Sequence, residues 1–337
     1  MLNKKNALFL LSLLLVVVFA VSGCGGSEKK TETKAAGPQT IKLAHVVNEK
    51  DGFHIAAMKF KELVEARTKG NVKVELFPNA SLGDERTLIE GMQIGTIAMG
   101  VITNGPVANF LPEIAAFEMP FLFASPEEAY KVLDGAVGKK VLDKLDTINL
   151  KGLAYAERGF RNLTNSKKPV LTPADMAGLK IRVMENPVYI DTFKTLGTNA
   201  VPMAWTEALT ALQQGTIDGQ ENPINVIYSF KLNETQKYLT MTRHSYSPAL
   251  FLMSKKVFGS FDKETQDILV KAAQEAAVHE RKWNAEQMSE QLKALKEKGM
   301  QITEPDTAAF QAAVKPVYDK YGPKFGTLLD DINKAKK

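Results

Sequence analysis

The sequence has a single cysteine, Cys24, among 337 residues. One cysteine forms no internal disulfide bond and no cysteine-rich zinc site. Its four histidines, at positions 45, 54, 244 and 279, show none of the spacings typical of metal sites. A large excess of charge of one sign is also absent, since 43 basic and 38 acidic residues leave a net charge of only +5. So small an excess is not the clustered basic surface of a nucleic-acid-binding protein.

The motifs of common enzyme classes are missing as well. There is no G-x-S-x-G elbow, no phosphate-binding loop and no G-x-G-x-x-G turn. His279-Glu280 begins like a zinc-protease helix, but the fifth position is Trp283 instead of histidine. We therefore expect a binding protein and no enzyme, with no catalytic residue, cofactor or metal.

The longest apolar run is at the N-terminus and follows two lysines. It covers the 15 residues Ala7–Val21, whereas a membrane-spanning helix needs about 20. The run therefore predicts a signal peptide over residues 1–23. Its end, Val21-Ser-Gly-Cys24, resembles the bacterial lipobox, in which the cysteine is lipidated and becomes the mature N-terminus. An ordinary cleavage site beside an incidental cysteine is the alternative.

Residues 24–39 are predicted to be a lipidated, flexible tether. The stretch after Cys24 is rich in glycine, lysine and glutamate and has no aromatic residue, so it cannot bury enough apolar surface to fold. We expect an extracytoplasmic protein that is attached to the cell membrane through lipid on Cys24.

Strands and helices alternate through the rest of the chain. With 45% hydrophobic and 24% charged residues, the composition is that of a globular protein. A β-α-β-α-β pattern predicts an α/β fold with a parallel sheet, and the pattern returns in a second module after a switch near residues 157–164. Predicted strands are 41–46, 71–77, 97–102, 150–155, 179–183 and 216–218, and predicted helices include 53–69, 84–93, 188–196 and 207–214.

A long helix is predicted from Lys263 to Lys298, a stretch without proline or glycine. Asp262 can cap its start and Gly299 can end it. Thirty-six residues give about 54 Å, more than the diameter of a small domain. We therefore expect the helix to pack across both domains.

Polar side chains at predicted strand ends are the candidate binding residues. Arg182 closes an apolar strand, and ligands of open α/β sheets bind at the carboxyl ends of strands. Its planar guanidinium matches a carboxylate, although a surface salt bridge is the commoner role of an arginine. Asn222 is at another strand end, Arg161 is near the domain switch, and Trp205 precedes a helix.

Taken in order, these motifs resemble a known family. Gly178–Val183, Pro202–Glu207, Ala211–Gly215 and Asp218–Pro223 are similar to the DctP-type substrate-binding proteins of TRAP transporters. The likeness runs from about residue 40 to the C-terminus, with supporting pieces at 78–86, 117–123 and 236–240.

The resemblance implies a two-lobed periplasmic-binding-protein-like fold with a hinge and a long helix that bridges both lobes. Lobe I would comprise residues 40–158 and about 248–262, and lobe II about 159–247 and the C-terminal segments, with the bridging helix at 263–298. It also implies a small organic carboxylate as ligand, of the C4-dicarboxylate or sugar-acid class, and membrane permease subunits as partners. The protein itself is expected to be a monomer.

The resemblance also assigns residues. Arg182 matches the carboxylate-clamping arginine, Arg161 a second cleft arginine, Asn222 the asparagine beside the ligand, Trp205 an aromatic wall, and Glu85 a cleft acid. His45, Thr103 and Asn104 are expected to add first-lobe contacts. The sialic-acid-binding branch has different residues at Val46, Thr103 and Pro106, so sialic acid is not the expected ligand.

Other functions remain open at this stage. An ABC-type binding protein would have similar lobes, but the motif series and the long helix argue against it. A ligand-binding partner of a sensor kinase is compatible with every residue, and neighbouring genes for TRAP permease subunits would argue against that role. An extracytoplasmic enzyme would need an acid–base constellation that the sequence does not show.

Overall fold

The computed structural model describes residues 39–337. The predicted signal peptide, Cys24 and the predicted tether up to residue 38 lie outside this range. Gln39, expected as the last tether residue, instead begins the first strand.

Nine strands and thirteen α-helices are present in residues 39–337. The strands are β1 Gln39–Ala44, β2 Val72–Phe77, β3 Met99–Thr103, β4 Leu150–Asn165, β5 Lys180–Val183, β6 Asn199–Pro202, β7 Gly219–Asn222, β8 Tyr238–Ser254 and β9 Gln301–Thr303. The helices are α1 Gly52–Arg67, α2 Glu85–Ile94, α3 Asn104–Val107, α4 Pro126–Leu133, α5 Ala136–Lys144, α6 Pro187–Thr195, α7 Trp205–Gln213, α8 Ile224–Ser229, α9 Lys255–Phe258, α10 Lys263–Glu297, α11 Thr307–Ala313, α12 Lys315–Tyr321 and α13 Leu328–Ala335. Short 3-10 helices cover Pro112–Glu118, Leu145–Ile148, Pro173–Met176, Leu232–Glu234 and Gly322–Phe325.

All nine strands belong to one mixed sheet. Its order is β2-β1-β3-β8-β4-β7-β5-β6, and β9 pairs with β8. In the first half, β1 pairs in parallel with β2 and β3. In the second half, β5 pairs in parallel with β6 and β7. The predicted α/β class and its two parallel modules are therefore confirmed.

Two long antiparallel strands, β4 and β8, connect the halves. One end of β8 pairs with β3, and the far end of β4 pairs with β7. Their mutual pairing shifts register between Glu157 and Gly159, where Gly159 has a φ of +104°. An extra residue at such a bulge bends a strand and increases its twist. The predicted switch near residues 157–164 is thus inside one continuous strand, and strand 150–155 was predicted too short.

One predicted strand, 216–218, was wrong, since β7 begins at Gly219. The preceding residues close helix α7 instead, because the Thr216 N–H donates to the Ala211 carbonyl at 3.0 Å. The residue boundaries predicted for the two lobes remain a prediction.

The long helix α10 bridges both halves, as predicted. The Asp262 carboxylate caps it by accepting from the Thr265 N–H at 2.7 Å, and Gly299 follows its end with a φ of +91°. On the first half, Glu275 pairs with Arg67 at 2.6 Å. On the second half, Asn284 accepts a hydrogen bond from Asn225 of α8 at 3.3 Å. Among residues 39–337 there is no helix with both the length and the hydrophobicity of a membrane span.

Candidate ligand-binding cleft

Two adjoining cavities lie between the halves of the sheet. They share the lining residues Val46, Glu85, Arg182, Met184 and Trp205. Val46 follows β1 and Glu85 begins α2 in the first half, whereas the other three belong to β5, the loop after it and α7 in the second half. The remaining lining residues are Val47, Asp84, Arg86, Thr103, Pro106, Arg158, Arg161, Glu185, Met203, Ala204, Thr206, Asn222 and Val226.

Arg182 is brought to these cavities by the carboxyl end of β5. Its side chain is 4% exposed, and its Nε and Nη2 donate to the Met203 carbonyl at 3.0 and 2.7 Å. Within residues 39–337 it makes no ion pair. Burial lowers the pKa of the Arg182 guanidinium to about 10, while the nearby Glu221 carboxylate opposes the shift. A buried cation without a protein counter-ion is a strong candidate for binding an anion.

The other two buried arginines of the cleft have protein partners. Arg161 donates through Nε and Nη2 to the Glu221 carboxylate, with an Nη2–Oε1 distance of 2.8 Å. Arg158 donates through Nη1 to both carboxylate oxygens of Asp51, at 2.9 and 3.0 Å. Both pairs are almost fully buried. These two arginines therefore line the cleft with most of their charge already balanced.

Glu85 lines both cavities from the first half. Its Oε1 accepts from the Thr103 N–H at 2.7 Å, which fixes the carboxyl group at the start of α2. Burial raises the pKa of Glu85, and the Thr103 hydrogen bonds and the Arg158 and Arg182 charges partly offset this shift. Like Arg182, Glu85 forms no ion pair within the described part of the chain. The cleft thus presents a cation and a hydrogen-bond-accepting carboxyl group to the same space.

Trp205 and Asn222 supply further polar atoms. Trp205 packs edge-on against Phe230, with ring centroids 5.1 Å apart. The guanidinium carbon of Arg182 lies 5.5 Å from the centroid of the Trp205 ring. The indole Nε1 is buried and finds no acceptor among residues 39–337. Asn222 donates to the Gln220 side chain at 2.6 Å and lines the cavity. A bound ligand with oxygen atoms could satisfy the free indole donor.

The three additional first-lobe residues have different positions. Thr103 lines the cleft, together with Val46 and Pro106, whereas His45 and Asn104 do not line either cavity. His45 faces His54, with Nε2 and Nδ1 3.1 Å apart, and burial lowers the pKa of His45 to about 3. Asn104 donates to the Glu118 carboxylate at 2.9 Å. His45 and Asn104 therefore lie beside the cavities without lining them, and a ligand contact from either side chain stays a prediction.

Sequence reasoning missed Arg158 and Met184 as lining residues. Arg158 is the extra residue at the register shift of β4, and its partner Asp51 is 107 positions away in the sequence. No local pattern indicates such a pair. Met184 directly follows β5, so the rule that placed Arg182 at a strand end could have included it.

The sequence profile of DctP, described as a bacterial extracellular solute-binding protein of family 7, matches residues 43–324. This chain belongs to the DctP family. It is 39% identical over 325 residues to the 2,3-diketo-L-gulonate-binding periplasmic protein YiaO of Escherichia coli K12, a match that covers 95% of this chain and 98% of YiaO.

Solved structures of TRAP periplasmic solute-binding proteins have the same fold. One from Polaromonas sp. JS666, bound to D-erythronate, has a TM-score of 0.86 and 41% identity and covers 88% of this chain and 98% of its own. The sugar-acid-binding protein DctPAm from Advenella mimigardefordensis, in complex with galactonate, has a TM-score of 0.85 and 37% identity and covers 89% of this chain and 99% of its own. The chain is thus a TRAP-type substrate-binding protein with a two-lobed fold. The family comprises solute-binding proteins of transport systems and is not an enzyme family.

Proposed function

We propose that this protein captures a polyhydroxylated monocarboxylate, of the sugar-acid class, and delivers it to the membrane permease of a TRAP transporter. One observation carries the proposal. Arg182, buried in the cleft without an ion pair in residues 39–337, shares its cavities with Glu85, which is also without an ion pair.

The need for an anion follows from the cost of burying Arg182. When the two halves are apart, the guanidinium faces water and costs little. Closing them without an anion leaves the charge desolvated and unpaired, at several kcal/mol. A ligand carboxylate offsets this cost, because each charge-assisted hydrogen bond contributes roughly 1.5–3 kcal/mol. The ligand therefore shifts the hinge equilibrium by its differential affinity for the closed arrangement.

The choice of a sugar acid over a C4-dicarboxylate rests on the other charges of the cleft. A second ligand carboxylate would need a second unbalanced cation, but Arg161 and Arg158 are already paired with Glu221 and Asp51. It would also approach Glu85, and two like charges at close range repel. Ligand hydroxyls, in contrast, can donate to the Glu85 carboxyl group. The names of the three related proteins support this choice, since diketogulonate, erythronate and galactonate each carry one carboxylate and several other oxygens.

A binding screen tests the ligand class. Calorimetry of the purified protein with D-galactonate, D-erythronate, succinate, L-malate and neutral galactose should give micromolar or tighter binding to a sugar acid. Succinate and malate should bind at least tenfold more weakly, and galactose should not bind. Binding to neutral galactose alone would overturn the proposal, and tight binding to succinate would overturn the sugar-acid assignment.

We further propose that lipid on Cys24 attaches the protein to the outer face of the cell membrane. The support is the short apolar run and the Val-Ser-Gly-Cys sequence that ends it. Cys24→Ala should move the protein from the membrane fraction to the soluble or secreted fraction. Mass spectrometry that finds an unmodified Cys24 inside a longer mature chain would contradict the anchor.

Delivery to a permease is tested in cells. Deleting the gene for this protein should abolish uptake of the radiolabelled sugar acid, and wild-type protein, but not Arg182→Ala, should restore it. Normal uptake in the deletion strain, together with a lost transcriptional response to the ligand, would favour the alternative role as partner of a sensor kinase.

A further inference from the structure

A second set of contacts joins the two halves beside the cavities. On the first half, the residues that follow β3 include Gly105, Asn109 and, at the end of a 3-10 helix, Glu118. On the second half, Glu185 and Asn186 lie between β5 and α6. We call these five residues the clasp. They have no role in the ligand contacts described above, except that Glu185 also lines one cavity.

Asn186 is the central member of the clasp. Its Nδ2 donates across the cleft to the Gly105 carbonyl and to the Glu118 Oε2, each at 3.3 Å. Glu118 Oε2 also accepts from Asn104 Nδ2 at 2.9 Å, and its Oε1 accepts from the Ser247 hydroxyl at 2.7 Å. Asn186 is fully buried but does not line either cavity. The Glu118 Oε1 also accepts from the Tyr189 hydroxyl of α6 at 3.3 Å. The Asn186 amide therefore ties the second half to an acceptor that donors of the first half, β8 and α6 hold in place.

Two neighbouring contacts reinforce the clasp. Asn109 Nδ2 donates across the cleft to the Glu185 carbonyl at 2.5 Å. Gly105 packs directly against Met184, because a Cβ at position 105 would come within 2.7 Å of the methionine Cε. Met184 and Pro106 are cavity-lining residues. The clasp thus forms the wall beside the ligand, and of its five residues only Glu185 lines a cavity.

We propose that Asn186 is a positioning residue that holds the two halves together around the ligand and so sets the rate of ligand release. The inference rests on the proposed function, since it concerns the same cleft. Because the clasp residues come from different halves, their hydrogen bonds exist only when the halves meet. When the halves separate, water replaces these bonds, so the clasp stabilises the closed arrangement by the net worth of two or three hydrogen bonds.

Asn186 also has a local role in the fold, and one substitution can keep that role while it removes the contacts across the cleft. The Asn186 Oδ1 accepts from the Val188 N–H at 2.8 Å and so caps α6. Serine is also a good N-cap residue, but its shorter side chain does not reach Gly105 or Glu118. Asn186→Ser therefore keeps the cap and removes the two cross-cleft donors. Asn199→Ser is the matched control, since Asn199 is exposed on β6 and its side chain makes no hydrogen bond within residues 39–337.

The experiment measures D-galactonate binding to full-length mature protein by stopped-flow fluorescence, with D-erythronate in its place if that ligand binds more tightly. For Asn186→Ser we expect the dissociation rate to rise about tenfold, because two hydrogen bonds of the closed arrangement are lost, while the association rate changes less than twofold. The ligand-free melting temperature should stay within 1 °C of wild type. Asn109→Ser, which removes the independent bond to Glu185, should raise the dissociation rate about threefold.

Two results would overturn the proposal. One is a dissociation rate of Asn186→Ser equal to those of wild type and Asn199→Ser. The other is a large fall in its ligand-free melting temperature with an unchanged dissociation rate, which would make Asn186 purely structural. Both results require that wild-type protein binds a sugar acid. Failure of the wild type itself to bind one would instead overturn the proposed function.

Discussion

Buried arginines have charged partners in the middle of the sheet but an uncharged partner at the end of β5. In the crossing strand β4, Arg158 and Arg161 are each held by a buried carboxylate, Asp51 and Glu221. At the end of β5, Arg182 is equally buried, but its hydrogen-bond acceptor is the uncharged Met203 carbonyl. The pKa values diverge accordingly, since the Glu221 charge raises the pKa of Arg161 against its burial, whereas burial lowers that of Arg182 to about 10.

We expect this difference to separate arginines that maintain the fold from one that binds a ligand, although the family resemblance implies a ligand contact for Arg161 as well. A paired arginine contributes to the folded state whether or not a ligand is present, because removing it leaves a buried carboxylate alone. An unpaired arginine makes the closed cleft unfavourable until an anion arrives. Burial and position in the cleft alone do not distinguish the two kinds.

Removal of the paired Arg161 should have the largest effect. Arg161→Ala leaves Glu221 buried beside His244 without its main partner, so the free energy of unfolding should fall by about 3–5 kcal/mol. Urea unfolding without ligand measures this change. Arg243→Ala is the control, because its pair with Glu304 is largely exposed and should be worth less than about 1 kcal/mol. An equally small effect at Arg161 would contradict the distinction.

Removal of the unpaired Arg182 should have the opposite effect, weakening ligand binding and leaving the stability of the ligand-free protein unchanged. Arg182→Ala should weaken binding of the sugar acid by roughly 2–4 kcal/mol, or about 30- to 1,000-fold in Kd, because the ligand carboxylate loses its cation. Arg182→Lys keeps a charge but loses the planar fork, so it too should bind substantially more weakly. The ligand-free protein should keep its stability. Wild-type affinity in Arg182→Ala, or unfolding without ligand, would show that this arginine is structural.

A smaller change should shift the preference between ligands. Glu85→Gln removes the negative charge but keeps an oxygen acceptor, so the Kd of the sugar acid should rise about fivefold. Succinate should bind better to this variant than to wild type, because its second carboxylate no longer meets a like charge. Glu75→Gln, on the exposed face of β2 and away from both cavities, should change neither value. Calorimetry that shows weaker succinate binding in Glu85→Gln would contradict the assigned role.

Local sequence patterns predicted much of the fold because its two parallel modules are built from neighbouring segments. Arg182 and Asn222 could be placed at strand ends for the same reason. Strand β4 was predicted too short and β8 was not predicted, since their register shifts and interior polar residues interrupt the two-residue alternation of a strand. A resemblance to a family supplied the remaining site residues.

The pairing of charges could not be predicted at all. Glu221 is 60 positions from Arg161 and Asp51 is 107 from Arg158, so only the tertiary fold shows which arginine lacks a carboxylate. The same limit applies to the directions of the His45 and Asn104 side chains. Both are next to true lining positions, Val46 and Thr103, but their side chains turn towards His54 and Glu118.

A substitution of His45 should have the smallest effect on ligand binding, although it should change the stability of the protein. Burial lowers its pKa from 6.5 to about 3, with the His54 and Arg158 charges acting in the same direction. Between these values the unfolded chain binds the proton and the folded protein does not, so the His45 contribution to stability falls as the pH drops from about 6.5 to about 3. In His45→Gln, the free energy of unfolding, measured from pH 7 to pH 4, should lose part of this dependence, while the part due to His244, whose pKa burial also lowers, should remain. The Kd of the sugar acid at pH 7 should change less than about threefold, because the side chain faces His54 and not the cavity. A much larger loss of affinity with unchanged ligand-free stability would return His45 to the binding site.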